Sequence, residues 1–201
     1  MIGEKVANKD HRIFDHQHFT GKPHKLSTSK HLLTFGEEYR PPFYGHISLF
    51  NLTSHLISPF VTGYEGTGVE SLYPSNTDIF RHAKQQGGIG AYVHPFFGNA
   101  DPLASGLGGA KGFPVDVALE ALSYHELWSQ VAADAGLNVW YHTLNNGFRV
   151  PVTGGEASIS RLHRVELVGV SRGYFQIGDQ PFTWDAWMKA LLAGHGFVTN
   201  G

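Results

Sequence analysis

No cysteine occurs anywhere in the 201 residues, so disulfides and thiolate metal sites are excluded from the outset. Charge is scarce as well: Asp, Glu, Lys and Arg make up 16% of the chain and leave a net charge of −2. Binding to nucleic acid through phosphates needs a basic face, and this balance argues against one. No apolar run approaches the roughly 20 residues of a membrane span, and no signal-peptide pattern follows Met1. These absences lead us to expect a soluble, by default cytoplasmic, chain that acts on a small molecule, with neither membrane nor nucleic acid as a partner. Two methionines stand against 13 histidines. Any metal site must therefore use imidazole and carboxylate, which suits Zn, Mn or Fe better than copper(I) or iron–sulfur chemistry. With 41% hydrophobic residues and no internal repeat or linker, residues 1–201 read as one domain with a real core.

The most legible stretch is Ser75 to Pro95. Ser75 followed by Asp78 starts a helix as a capping box, the hydroxyl and carboxylate meeting free backbone N–H groups. Ile79, Phe80 and Ala83 give that helix an apolar stripe, and Gly87-Gly88 can stop it. Ile89, Ala91 and Val93 then alternate as a strand, which His94-Pro95 terminates because proline cannot donate to a ladder. In α/β folds chemistry gathers at strand C-terminal ends, so His94 is either a candidate ligand or base, or a histidine that merely hydrogen-bonds there.

Elsewhere the signals are weaker. In Asp15-His16-Gln17-His18 the two imidazoles would share one face of a strand and could serve one metal, or they belong to a polar loop. Residues 31–35 suggest a strand ending at Gly36-Glu37-Glu38, and a second strand opens after Gly45-His46. Residues 96–114 form a glycine-rich loop of the length used for lids, in which Lys111 could reach an anionic group or stay solvated. Leu127, Trp128, Val131 and Ala135 sit at helical spacing, with Gly136 as a stop. A short helix from Asn138 to Gly147 would then precede a strand carrying Arg149 near its start and ending at Gly155-Glu156. Thr183 should cap a helix with Trp184, Trp187, Met188, Leu191 and Leu192 on its core face, ended by Gly194, before a last strand. His11, His24, His31, His82, His163 and His195 lie among polar or turn residues and read as surface groups.

Four pieces taken together, GEE…YGHISLFNL, GGIGAYVHP, LNNGFRVPVTGGE and FTWDAW…AGHGFVTNG, resemble the PHP-type metallohydrolases, specifically the carbaryl-hydrolase-like (CehA/McbA) family. They cover most of the chain in the family's order. The resemblance implies an α/β fold, a distorted, TIM-like β/α barrel incomplete at its N-terminus, with two or more divalent ions at the C-terminal ends of its strands. By motif Glu38 is the acidic ligand, His46 the Gly-His histidine, His94 the histidine of the HP strand end, and Glu156 stands at the family's aspartate position. Asn145 and Arg149 fall in a segment the family keeps near its site. Asn8 and Lys9 already begin a segment that follows the family's H-x-H strand, which implies that this strand lies upstream of Met1 and that His16 and His18 are not its equivalent. Asp15 matches a Pro-Asp segment, and the family continues past FVTNG, so the resemblance implies a chain clipped at both ends. Ser158 stands where many such domains have a second histidine.

The expectation is a metal-dependent hydrolase using an activated water on an ester, carbamate or phosphoester bond. Glu38, His94 and Glu156 would be ligands, with His46 a ligand or proton donor. Arg149 or Lys111 would offset developing negative charge, and Asn145 would contact substrate. The rival expectation is an inactive fragment of such a barrel that binds metal weakly or not at all.

Overall fold

Glu37–Tyr39 (β1), Ile47–Phe50 (β2) and Ile89–Tyr92 (β3) form an antiparallel sheet in the order β1-β2-β3 in the computed structural model, which describes residues 19–54, 72–96, 107, 109–128, 133–155 and 169–199. His125–Trp128 (β4) pairs in parallel with Val152–Gly154 (β5), and Arg172–Phe175 (β6) pairs antiparallel with Gly196–Thr199 (β7). Helices Asn76–Gln85 (α1), Phe113–Ala118 (α2), Ala133–Asn145 (α3) and Trp184–Leu192 (α4) are interleaved with these strands. Helices and small sheets are thus mixed along the chain. No helix among the described residues is long and apolar enough to cross a membrane.

Side chains on neighbouring strand positions point to opposite faces, and the first sheet uses both. The register pairs Tyr39 with Ile47 and Ile47 with Tyr92, so these three share a face with Leu49. They are fully buried against Ile79 and Phe80 of α1, Phe113 and Val117 of α2, and Val139 of α3. Burying an aliphatic side chain such as Ile47 or Leu49 contributes about 2 kcal/mol each. On the opposite face Ile89 and Ala91 pack with Tyr124, Leu191 of α4, Phe50 and Trp187. That second face is only partly apolar, because Glu38 and Ser48 also lie on it.

The helix from Ser75 forms as the sequence predicts. Ser75 accepts from the Asp78 backbone N–H, Asp78 accepts from the Ser75 backbone N–H at 3.0 Å, and Gly87 closes the helix at φ 78°. Thr183 likewise caps α4 by accepting from the Ala186 N–H, and Gly194 follows it at φ 69°. Leu191 of the expected core face is buried, but Leu192 is exposed.

Other expectations need correction. Residues 31–36 are not a strand; the strand begins at Glu37, where β2 offers a partner, so the two glutamates lie in the ladder rather than after it. The helical spacing from Leu127 to Ala135 is misleading too. Residues 125–128 are a strand bonded to β5, and the helix begins only at Ala133. Gly136 therefore does not end a helix. It lies inside α3, where an added Cβ would come within 2.8 Å of the Leu127 carbonyl oxygen, so the glycine permits close helix–strand packing. Asn138 is mid-helix, while Gly147 does follow the helix end, at φ 87°. Arg149 precedes the short strand β5 instead of lying on it.

A polar network is enclosed in the larger core. Asp116, 1% exposed, accepts from Thr77 Oγ1 and from Tyr92 Oη at 2.6 Å, and Asn76 donates to the Gly45 carbonyl at 3.0 Å. His125 is also inside, its ring 5.1 Å from Phe113 and 5.6 Å from Phe96, with Nε2 at 3.0 Å from the Gly136 carbonyl.

Two outcomes follow for stability. Ser75→Ala removes the capping box and should lower unfolding free energy by about 1 kcal/mol, read from urea denaturation. Burial pushes the His125 imidazole from its ordinary 6.5 down to about 4. A depressed folded value means that the contribution is complete above the unfolded pKa and is lost as pH falls through the interval down to the folded one. The urea midpoint should therefore drop on acidification from pH 6.5 to 4, and more steeply in the wild type than in His125→Phe, which carries no titrating group there.

Candidate metal centre

Three chemically active side chains meet at one end of the first sheet. Glu38 comes from β1, His46 from the residue before β2, and His94 from just beyond β3. One donor atom from each lies within 4.8 Å of the other two. Glu38 Oε1 is 3.3 Å from His46 Nδ1 and 3.8 Å from His94 Nε2. The two imidazoles stand edge to face, with centroids 5.2 Å apart.

Strand pairing explains the convergence. Glu38 sits opposite Ser48, so His46, two positions earlier, is its diagonal neighbour on the same face, within reach of a long side chain. Val93 donates its backbone N–H to the His46 carbonyl at 3.1 Å, which extends the β2–β3 ladder and brings His94 alongside. Gly45 makes the entry to β2 possible. Its φ is 103°, and an added Cβ would overlap the carbonyl of Gly109, so only glycine lets the 109–112 loop press against the residue before His46.

Electrostatics favour an ionised Glu38. The two imidazoles, with the charge of Arg40 behind them, hold the Glu38 carboxyl well below the usual carboxylate range against the opposing effect of burial. Arg40 Nε lies 3.7 Å from Glu38 Oε1. Among the described residues neither His46 Nδ1 nor Arg40 Nε, both buried, has a hydrogen-bond partner. Buried polar atoms are rarely left so, and an imidazole nitrogen in that condition, facing a carboxylate and a second imidazole, fits a cation-binding role. The donor set, one carboxylate oxygen and two imidazole nitrogens, is that of Zn, Mn or Fe sites.

Beside the three stands a fourth group that sequence reasoning missed. Glu126 of β4, 9% exposed, accepts the His94 backbone N–H at 2.9 Å. Burial pushes its carboxyl up to about 7, opposed by the bond from His94. The only sequence signal was a carboxylate alternating with apolar residues in HELW, and the helical reading of that segment hid it. Arg40 was missed because it falls between the two strands the sequence suggests, and its place beside Glu38 is seen only in the structure.

Of the remaining expected residues, three lie among those described. Lys111 sits with Nζ 5.1 Å from the centre of the Phe43 ring, a cation–π contact on the loop that packs against Gly45. Asn145 ends α3 and Arg149 follows it, both exposed, and no described hydrogen bond or ion pair joins either to Glu38, His46 or His94. Asp15, His16, His18, Glu156 and Ser158 lie outside the described residues.

Compared with family models, curated proteins and solved structures, the chain finds no match.

Gly45→Ala tests the backbone logic of the site. A side chain at that φ is strained and overlaps Gly109, so the variant should lose roughly 2–4 kcal/mol of stability, measured by urea unfolding. A variant as stable as the wild type would show that the loop yields easily.

Proposed function

We propose that the chain is a metal-dependent hydrolase whose divalent cation is held by Glu38, His46 and His94. The convergence of those three donors within 4.8 Å is the observation that carries the reading. The resemblance of GEE…YGH and AYVHP to PHP-type metallohydrolases supports it, and with it the distorted β/α barrel that the resemblance implies. Three protein ligands leave a coordination position for water or substrate, as in catalytic zinc sites. A second cation, if the site takes two, would draw on residues such as Asp15, His16, His18 or Glu156.

A divalent cation supplies Lewis acidity toward a carbonyl or phosphoryl oxygen and makes a water acidic enough to act near neutral pH. The chain's own groups do the rest. Glu38 brings the negative charge that compensates the ion. His46 and His94 add neutral donors and fix its place at the end of the sheet. Arg40, adjacent to Glu38, provides a fixed positive charge that favours an anionic carboxylate or phosphate as it develops. Asn145 and Arg149, from the motif match, and Lys111, from the glycine-rich loop, remain the proposed substrate contacts. Esters, carbamates and phosphoesters share this chemistry, and the substrate class is a small molecule bearing one of these bonds.

The test is metal content and turnover together. Purified wild-type chain loaded with zinc or manganese should retain about one ion per donor set and hydrolyse p-nitrophenyl ester, carbamate or phosphate substrates, losing activity with a chelator. Glu38→Gln and His94→Ala should each lower metal affinity by at least about tenfold. Unchanged metal content in both variants would sink the ligand assignment. Stoichiometric metal without turnover on any of the three substrates would overturn the hydrolase reading, and weak or no metal binding without turnover would favour the rival, an inactive barrel fragment.

A further inference from the structure

His94 adopts an unusual backbone conformation for its type and place. Its φ is 37°, in the left-handed region that L side chains rarely enter. It also precedes Pro95, whose ring narrows the preceding residue toward extended conformations. Two steric preferences therefore oppose the turn that swings this imidazole toward Glu38. A residue held against such preferences persists only where its surroundings over-determine it.

The structure provides one strong restraint. Strand β3 ends at Tyr92, and the Val93 N–H still finds the His46 carbonyl, so the ladder with β2 accounts for the chain up to that point. The next backbone donor belongs to His94. It is met at 2.9 Å by Oε1 of Glu126, a carboxyl that reaches across from β4 in a different sheet. A partly buried N–H without a partner would be costly, and this bond satisfies it in the observed backbone conformation. The acceptor is itself confined. A Cβ on Gly155 would overlap Glu126 Oε2, so the glycine beyond β5 leaves the carboxyl just the space it occupies. Ser48 Oγ and Tyr124 Oη, 2.9 Å apart, tie the same two sheets together next to this bond and keep β4 at the distance the glutamate needs.

We infer that Glu126 is a positioning residue that clamps the His94 backbone in its left-handed turn and thereby aims the imidazole at the cation. The inference rests on the reading of Glu38, His46 and His94 as ligands. Glu126 is not one of the three clustered donors, and in this reading it acts through His94. What the position requires is a side-chain oxygen at the end of a long arm, so glutamine can replace glutamate and alanine cannot.

Amide hydrogen exchange of the metal-free full chain, followed residue by residue by NMR, tests the clamp directly. The His94 amide should be protected in the wild type and in Glu126→Gln, and exchange at least about tenfold faster in Glu126→Ala, while the amides of Ile47 and Leu49 stay protected in all three. Zinc titration by calorimetry should show Glu126→Ala weakened about 10–100-fold and Glu126→Gln close to the wild type. An unprotected His94 amide in the wild type, or equal protection in the alanine variant, would overturn the inference. So would a glutamine variant as impaired as the alanine one. If Glu126→Ala does not fold, protection of His94 in the wild type and in Glu126→Gln, with zinc affinity retained in the latter, decides the matter. A wild-type chain that binds no zinc would sink the metal reading itself, while the exchange measurements still judge the clamp.

Discussion

Backbone ladders on both sides of β2 set the position of every group in the proposed centre. Strand β1 supplies Glu38 through one ladder, and β3 delivers His94 through the other. A slip of one residue in either would turn Glu38 or His94 to the opposite face, because the side-chain period of a strand is two. What holds the register is burial. Tyr39, Ile47, Leu49 and Tyr92 are almost completely enclosed on one face, and a slip would expose them. The site's geometry is therefore maintained from behind, by hydrophobic packing on the far face of the same short strands.

The near face depends on polar contacts instead. Ser48 meets Tyr124, and Glu126 meets the His94 amide, so the junction between the first sheet and β4 is made by hydrogen bonds flanked by apolar residues. Burying such groups is tolerable because each finds a partner. Among the described residues His46 Nδ1 and Arg40 Nε make no hydrogen bond, and both lie beside Glu38, where an ion would change the local balance of charge. In the enclosed network on the other side Thr77 and Tyr92 both donate to the Asp116 carboxyl, while Asn76 Oδ1 has no hydrogen-bond partner among the described residues and faces no second carboxylate or imidazole cluster like that at Glu38.

Local features were legible in the sequence and distant pairings were not. Ser75, Asp78 and Gly87 announce a helix because a cap is decided within a few residues. His94 at a strand end and Gly45-His46 before a strand were readable for the same reason. Glu37–Tyr39 was not, since glutamates have little strand propensity and the segment is a strand only because β2 lies beside it. The HELW segment is the clearest failure. Its apolar spacing suits a helix, but β5, far along the chain, offers it a parallel partner, and tertiary pairing overrides the local pattern. That misreading concealed Glu126, which needs a strand to project it toward His94.

The glycine contact between Gly45 and Gly109 has a consequence for biosynthesis. The hairpin of β1 and β2 can close as soon as it leaves the ribosome, since its pairing is local. The backbone before His46 cannot settle until the loop at Gly109 has been translated and has docked, and β4 with its glutamate comes later still. During synthesis the nascent chain thus carries paired strands but an unfinished site from the emergence of β2 until that of β4. Glu38 and His46 are thus brought together by the early hairpin, and the third member of the group, His94, is fixed only when β4 is in place.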